Sequence, residues 1–218
     1  MRTKLIAIAI ALFPVMVLAQ APAGADLSAE ARDSKSIAQA SLATLVELAS
    51  KDSAALGFAS PGDAKRAELS LPLSDFIIGL DTLRTWQENM DPLSLLRPTG
   101  LVIYPVHVAG SVQSSITVKK QNGQWQAVSF GAPKQAANVA GNRERVSKRI
   151  NVRPENIFQV RIPAFNLSFI GHIENGKLML SPVNDSPQYG YLAGVEVAAE
   201  QVLGRLQPDA ERDQGLPR

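Results

Sequence analysis

The chain has no cysteine, and that absence excludes more than any motif it contains. Disulfide stapling, thiol nucleophiles, thiolate metal sites and lipidation through cysteine are all ruled out together. Histidine is nearly missing as well, with His107 and His172 the only two. Neither has a second ligand at the spacing of a metal pair. His172 has only Glu174 two residues on, and that position suits a charge flanking the Asn175-Gly176 turn, so both histidines are expected on strand sides or at the surface. Phosphate loops of the Gly-x-x-x-x-Gly-Lys-Ser/Thr or Gly-x-Gly-x-x-Gly kind do not occur. Nor does a Gly-x-Ser-x-Gly elbow: Ser114 and Ser115 fall mid-strand, and Ser129 lacks the preceding glycine. Asp81 and Asp91 sit where helix caps are needed, and no two carboxylates have a shared reason to converge. No catalytic residue, metal ligand or cofactor is therefore expected.

Long apolar runs are also scarce. The single one, 14 residues over 5–18, is shorter than the roughly 20 residues that span a bilayer, and it contains Pro14. Arg2 and Lys4 precede it, and Val17-Leu18-Ala19 or Ala19-Gln20-Ala21 supplies a small-residue end. This is the three-part layout of a bacterial secretory signal peptide, expected over 1–19 and removed on export. Its loss takes Arg2 and Lys4 away, so 22 basic side chains fall to 20 and balance the 20 acidic ones. A neutral chain has no global electrostatic reason to bind nucleic acid. The expected address is periplasmic or secreted, with no transmembrane segment after cleavage.

The remaining sequence reads as one α+β domain. A flexible lead is expected over 20–32, the domain over 33–207, and a polar, disordered tail over 208–218. Ala38, Leu42, Leu45, Val46 and Ala49 recur at helical spacing, giving a helix that Gly57 and the Ser60-Pro61-Gly62-Asp63 stretch end. Leu69, Leu71 and Leu73 alternate before Phe76-Ile77-Ile78, which makes one broken strand or two short ones. A short helix with Asp81 as N-cap follows, then a helical turn opened by Asp91-Pro92 and stopped by Pro98.

Strands over 101–108, 111–120 and 124–130 form an antiparallel meander. Asn122-Gly123 supplies the tight turn, because both turn residues need positive φ. A two-residue turn sets Val118 opposite Ala127 and Lys120 opposite Trp125. After a helix over 133–150, a strand-like stretch over 157–173 is interrupted at Pro163, where a bend, a bulge or an edge position is expected. Asn175-Gly176 folds it back, with Glu174 facing Lys177, Ile173 facing Leu178 and His172 facing Met179. A last helix is expected over 193–206. The result is a twisted, mainly antiparallel sheet, a meander plus a C-terminal hairpin, packed with several helices. In general architecture alone this layout is similar to cystatin-like folds, which host peptidase inhibitors, propeptides and small binding modules.

Two features stand out as candidate partner contacts. Arg143, Arg145, Lys148, Arg149 and Arg153 are offset only by Glu144. They suit either an anionic partner (lipid head groups, lipopolysaccharide phosphates, an acidic protein face) or a solvated helix C-terminus favoured by the helix dipole. No aromatics interleave with them, which argues against nucleic acid. Phe165, Leu167 and Phe169 share one strand face, either as core or as an edge that accepts an extended peptide. The expectation is a non-catalytic periplasmic module that binds another envelope protein, a peptide or an envelope component. The alternative is an exported hydrolase whose Ser or carboxylate and His meet only in three dimensions.

Overall fold

The computed structural model describes residues 27–212, so the leader expected over 1–19 lies outside the described residues. The strongest local signals fold as the sequence predicts. Asn122 and Gly123 take φ of 51° and 81°, and Asn175 and Gly176 take 50° and 77°. These paired positive angles give a turn whose twist matches the flanking strands. The registers follow: Val118 faces Ala127, Lys120 faces Trp125, Ile173 faces Leu178 and Glu174 faces Lys177.

In chain order the elements are α1 (Leu27–Ala40), α2 (Leu42–Lys51), α3 (Pro61–Ala64), β1 (Glu68–Leu69), β2 (Leu73–Ile77), α4 (Leu80–Arg84), β3 (Arg97–Val108), β4 (Ser111–Gln121), β5 (Gln124–Phe130), α5 (Pro133–Ile150), β6 (Phe158–Ile162), β7 (Leu167–Glu174), β8 (Lys177–Pro182), β9 (Val197–Ala198) and α6 (Ala199–Arg212). The strands form one mixed sheet in the order β5-β4-β3-β2-β6-β7-β8-β9, with β1 also paired to β3. All pairings are antiparallel except β2 with β6. The fold is α+β.

Several boundaries differ from the sequence reading, each for a local reason. The first helix starts within the expected lead and is divided at Ser41, whose hydroxyl donates to the Ile37 carbonyl at 2.8 Å alongside its backbone N–H. Gly79, not Asp81, caps α4. The helical turn opened by Asp91-Pro92 forms as a 3-10 turn over Pro92–Leu95 and ends at Leu96, before Pro98, which enters β3 near its start, where a missing N–H costs least. Pro163 opens a 3-10 turn over Pro163–Phe165 that closes with Asn166 at φ 52°, so the long stretch is a hairpin of β6 and β7. The final helix begins only at Ala199, because Gly194 (φ 74°) donates its N–H to the Pro182 carbonyl and Val197–Ala198 pair with β8 as β9. It continues past Pro208 to Arg212, into the expected tail.

The two faces of the sheet are packed by different helices. Phe169 and Ile170 are consecutive on β7 and so project to opposite sides. On the Phe169 side, α4 and α6 bury Leu83, Val202, Leu203 and Leu206 against Phe76, Phe158, Val160 and Leu180. Leu45 and Ala49 of α2, with Ala38 of α1, cover Val102, Tyr104, Ile116 and Val118 of the meander. On the Ile170 side, Val139 and Val146 of α5 pack on Leu73, Ile157 and Val183. Among the described residues no helix is long and apolar enough to cross a membrane.

The parallel β2–β6 pair joins the two antiparallel halves and carries an ion pair. Arg161 Nε donates to Asp75 Oδ1 at 2.8 Å, and Nη2 donates to Oδ2. Thr99 adds a hydrogen bond to Oδ2 at 2.8 Å. The Asp75 side chain is fully buried, whereas that of Arg161 is 36% exposed. The two partners are therefore unequal. Arg161→Ala strands a buried carboxylate and is expected to cost about 3 kcal/mol. Asp75→Asn leaves a guanidinium that water can reach and is expected to cost clearly less. Urea unfolding of both variants checks the order, and a larger loss for Asp75→Asn would contradict it.

Candidate functional site

A cleft opens where β1 and β2 part company along β3. Glu68 and Leu69 pair with His107 and Val106, while Leu73 and Ser74 pair with Ile103 and Val102. Between them Ser70 still donates its N–H to the Pro105 carbonyl at 2.7 Å, but Pro72 has no N–H to offer and the ladder lapses. Arg143 of α5 takes up the freed backbone. Its Nη1 donates to the carbonyls of Leu71 and, at 3.1 Å, Pro72. The cleft above this point has a volume of about 930 Å³ and is bounded by Arg32 and Lys35 of α1, Tyr104, Leu69 and Ile157, with Glu68 and Glu155 among its lining residues.

Arg143 is the unusual member. It is 7% exposed, yet among the described residues no carboxylate lies in ion-pair contact with it. Desolvation lowers its pKa to about 10, with the more distant Glu155 pulling the other way. The group remains a cation at neutral pH, and a cation without a partner is costly to bury. Tyr104 forms the opposite wall. Its hydroxyl donates to the Ala31 carbonyl at 2.7 Å and lies 2.9 Å from Ser34 Oγ, tying α1 to the sheet, and burial raises its pKa.

On the other side of Ser70 lies a groove of about 770 Å³, which shares Ser70, Leu71 and Arg143 with the cleft and includes His107. Ser70 Oγ is 3.1 Å from His107 Nδ1, and His107 Nε2 is 3.4 Å from Glu68 Oε2. An imidazole between a hydroxyl and a carboxylate can relay a proton. Nothing local to His107 announced this trio. The available signal was the alternation of Leu69, Leu71 and Leu73, which puts Glu68 and Ser70 together on the opposite side.

His172 lies on β7 facing Met179, the strand-side alternative of the sequence reading. It is fully buried, and neither ring nitrogen has a hydrogen-bond partner among the described residues. Its Nε2 lies 3.3 Å from Glu196 Oε2, within ion-pair distance but without hydrogen-bond alignment. Burial lowers the His172 pKa, with Glu196 and Glu174 opposing and Arg149 reinforcing the shift. The imidazole is thus held neutral.

The five cations singled out by sequence do not share one surface. Arg143 is buried, Arg145 donates to Asn142 Oδ1 at 2.8 Å, and Lys148 pairs with Glu144 at 2.6 Å. Arg149 pairs with Glu196, and exposed Arg153 lies beyond the helix at the start of a 3-10 turn. Phe165 is 5% exposed and meets the Tyr189 ring edge-on at 5.8 Å, so it belongs to the core and not to an open edge.

Tyr104→Phe removes the tether between α1 and the cleft wall while keeping the ring. Stability is expected to fall by about 1 kcal/mol, the usual worth of such a hydrogen bond, as read by urea unfolding. No family model, curated protein or solved structure matches this chain.

Proposed function

We propose that this is an exported, non-catalytic binding module whose cleft takes an envelope ligand with an anionic head, carboxylate or phosphate, on an apolar body. The observation that carries the reading is Arg143, a buried guanidinium with no carboxylate in contact, lining a cleft of about 930 Å³. Its planar fork suits a paired-oxygen anion, and only Nη1 is engaged by the protein among the described residues. Exposed Arg32 and Lys35 flank the cleft and would draw such a head in, while Leu69, Leu71 and Ile157 suit an apolar body. The leader pattern supports an address outside the cytoplasm, where lipids and their fragments are abundant.

The second reading, an exported hydrolase, has the Ser70–His107–Glu68 array behind it. In that chemistry Ser70 Oγ attacks an ester carbonyl and passes its proton to His107 Nδ1. The alkoxide then leaves as an alcohol, and water releases the acyl group. Against it, the Ser70 N–H is committed to Pro105 and cannot donate to an oxyanion. Glu68 is also 77% exposed, which weakens its hold on the imidazole.

Calorimetric titration of the mature chain with fatty acids, lysophosphatidic acid and uncharged monoacylglycerols separates these readings. The anionic ligands are expected to bind, and the uncharged analogues to bind at least about tenfold more weakly, a difference of ~1.4 kcal/mol. Arg143→Gln is expected to lose that preference, Arg32→Ala with Lys35→Ala to weaken it, and Arg153→Gln to leave it intact. Equal affinity for charged and uncharged ligands overturns the binding reading. Ester turnover abolished by Ser70→Ala and by His107→Ala would establish the hydrolase instead.

A further inference from the structure

The far side of α5 holds a second polar cluster, separate from the cleft. His172 and Glu174 stand two residues apart on β7, so both side chains project from the same face. Glu196 arrives from the loop before β9, and Arg149 comes from the last turn of α5. One ligand atom each from His172, Glu174 and Glu196 can be chosen so that all lie within 4.8 Å of one another.

We propose that His172, Glu174 and Glu196 form a divalent-metal site of zinc type, with water as the remaining ligand. Two ligands bonded to zinc at about 2.1 Å in a tetrahedron stand about 3.4 Å apart. His172 Nε2 and Glu196 Oε2 are already 3.3 Å apart. The donor set is that of an open zinc site, in which nitrogen and carboxylate oxygens leave a position for water. Independent of the acidic pair, His172 is completely buried with both ring nitrogens unpartnered, and a metal on Nε2 gives one of them the partner the protein does not. Exposed Glu174 marks the solvent side, by which an ion enters.

Arg149 now occupies the place of the cation. Its guanidinium pairs with Glu196 but is 45% exposed, so it can turn outward when a dication arrives. Glu196 is only 14% exposed, so the carboxylate that Arg149 leaves needs a partner, and the dication supplies it. A dication also answers two carboxylates where the single charge of Arg149 answers one.

The test is calorimetric titration of tag-free protein with zinc chloride, with zinc content by mass spectrometry of the intact chain. One ion per chain is expected. Glu174→Gln, at an exposed position that the fold does not need, is expected to weaken binding at least about tenfold. Glu196→Gln and His172→Ala are expected to abolish it, and His107→Ala to leave it unchanged. Arg149→Gln, which vacates the competing cation, is expected to tighten binding. Absence of stoichiometric zinc on the wild type overturns the proposal, as does a Glu174→Gln variant that binds as the wild type does.

Discussion

The pairing of Asp75 with Arg161 across two parallel strands is the constraint around which the rest is arranged. Every other strand contact is antiparallel and most are made by chain neighbours, so each half of the sheet can organise itself. Among the described strands only β2 and β6 join the halves, and a parallel pair gives slightly less stability per residue than an antiparallel one. The bidentate ion pair and the Thr99 hydrogen bond add directional bonds where the ladder is weakest. α5 packs on β4 and Leu73 in one half and on Ile170 of β7 in the other, so the positions of Arg143 and Arg149 depend on both halves being joined.

The two faces of the sheet have different chemistry as a result. The side under α4 and α6 is aliphatic and aromatic throughout its core. On the α5 side, Asp75, Gln159, Ile170 and Ser181 stand in one cross-strand row, and three of these four buried residues are polar. His172 is buried on the same side, as Arg143 and Asn142 are on the helix itself. A buried polar side chain demands a partner, and a face with this many of them is a poor choice for stability alone. Both the cleft and the proposed metal site lie at the ends of that polar face.

What the sequence disclosed, and what it hid, divides by range. The two Asn-Gly turns state their own register, so Val118 against Ala127 and Ile173 against Leu178 could be placed by counting. The break between β1 and β2 was also visible in the alternation of Leu69, Leu71 and Leu73. Nothing local reveals that β2 lies beside β6, and without that pairing Asp75 and Arg161 are two unrelated charges. The trio of Glu68, Ser70 and His107 needs the β1–β3 contact, and His172 meets Glu196 only through the β8–β9 return. Of the five cations only Arg143 is buried, because charge spacing along α5 says which turn a residue occupies and not what covers it. Arg143 faces the sheet; its neighbours face elsewhere.

The parallel seam also dictates an order of events during folding. Asp75 and Gln159 are register partners, yet β3, β4, β5 and α5 all lie between them in the chain. Closing so long a loop costs entropy before any contact rewards it, whereas the β3–β4, β4–β5 and β7–β8 hairpins close over two-residue turns and β6–β7 over four residues. The hairpins are thus early and cheap, and the seam is late. Until it closes, β2 and β6 each present an unpaired edge, which makes the half-assembled chain the state most open to pairing with another copy of itself.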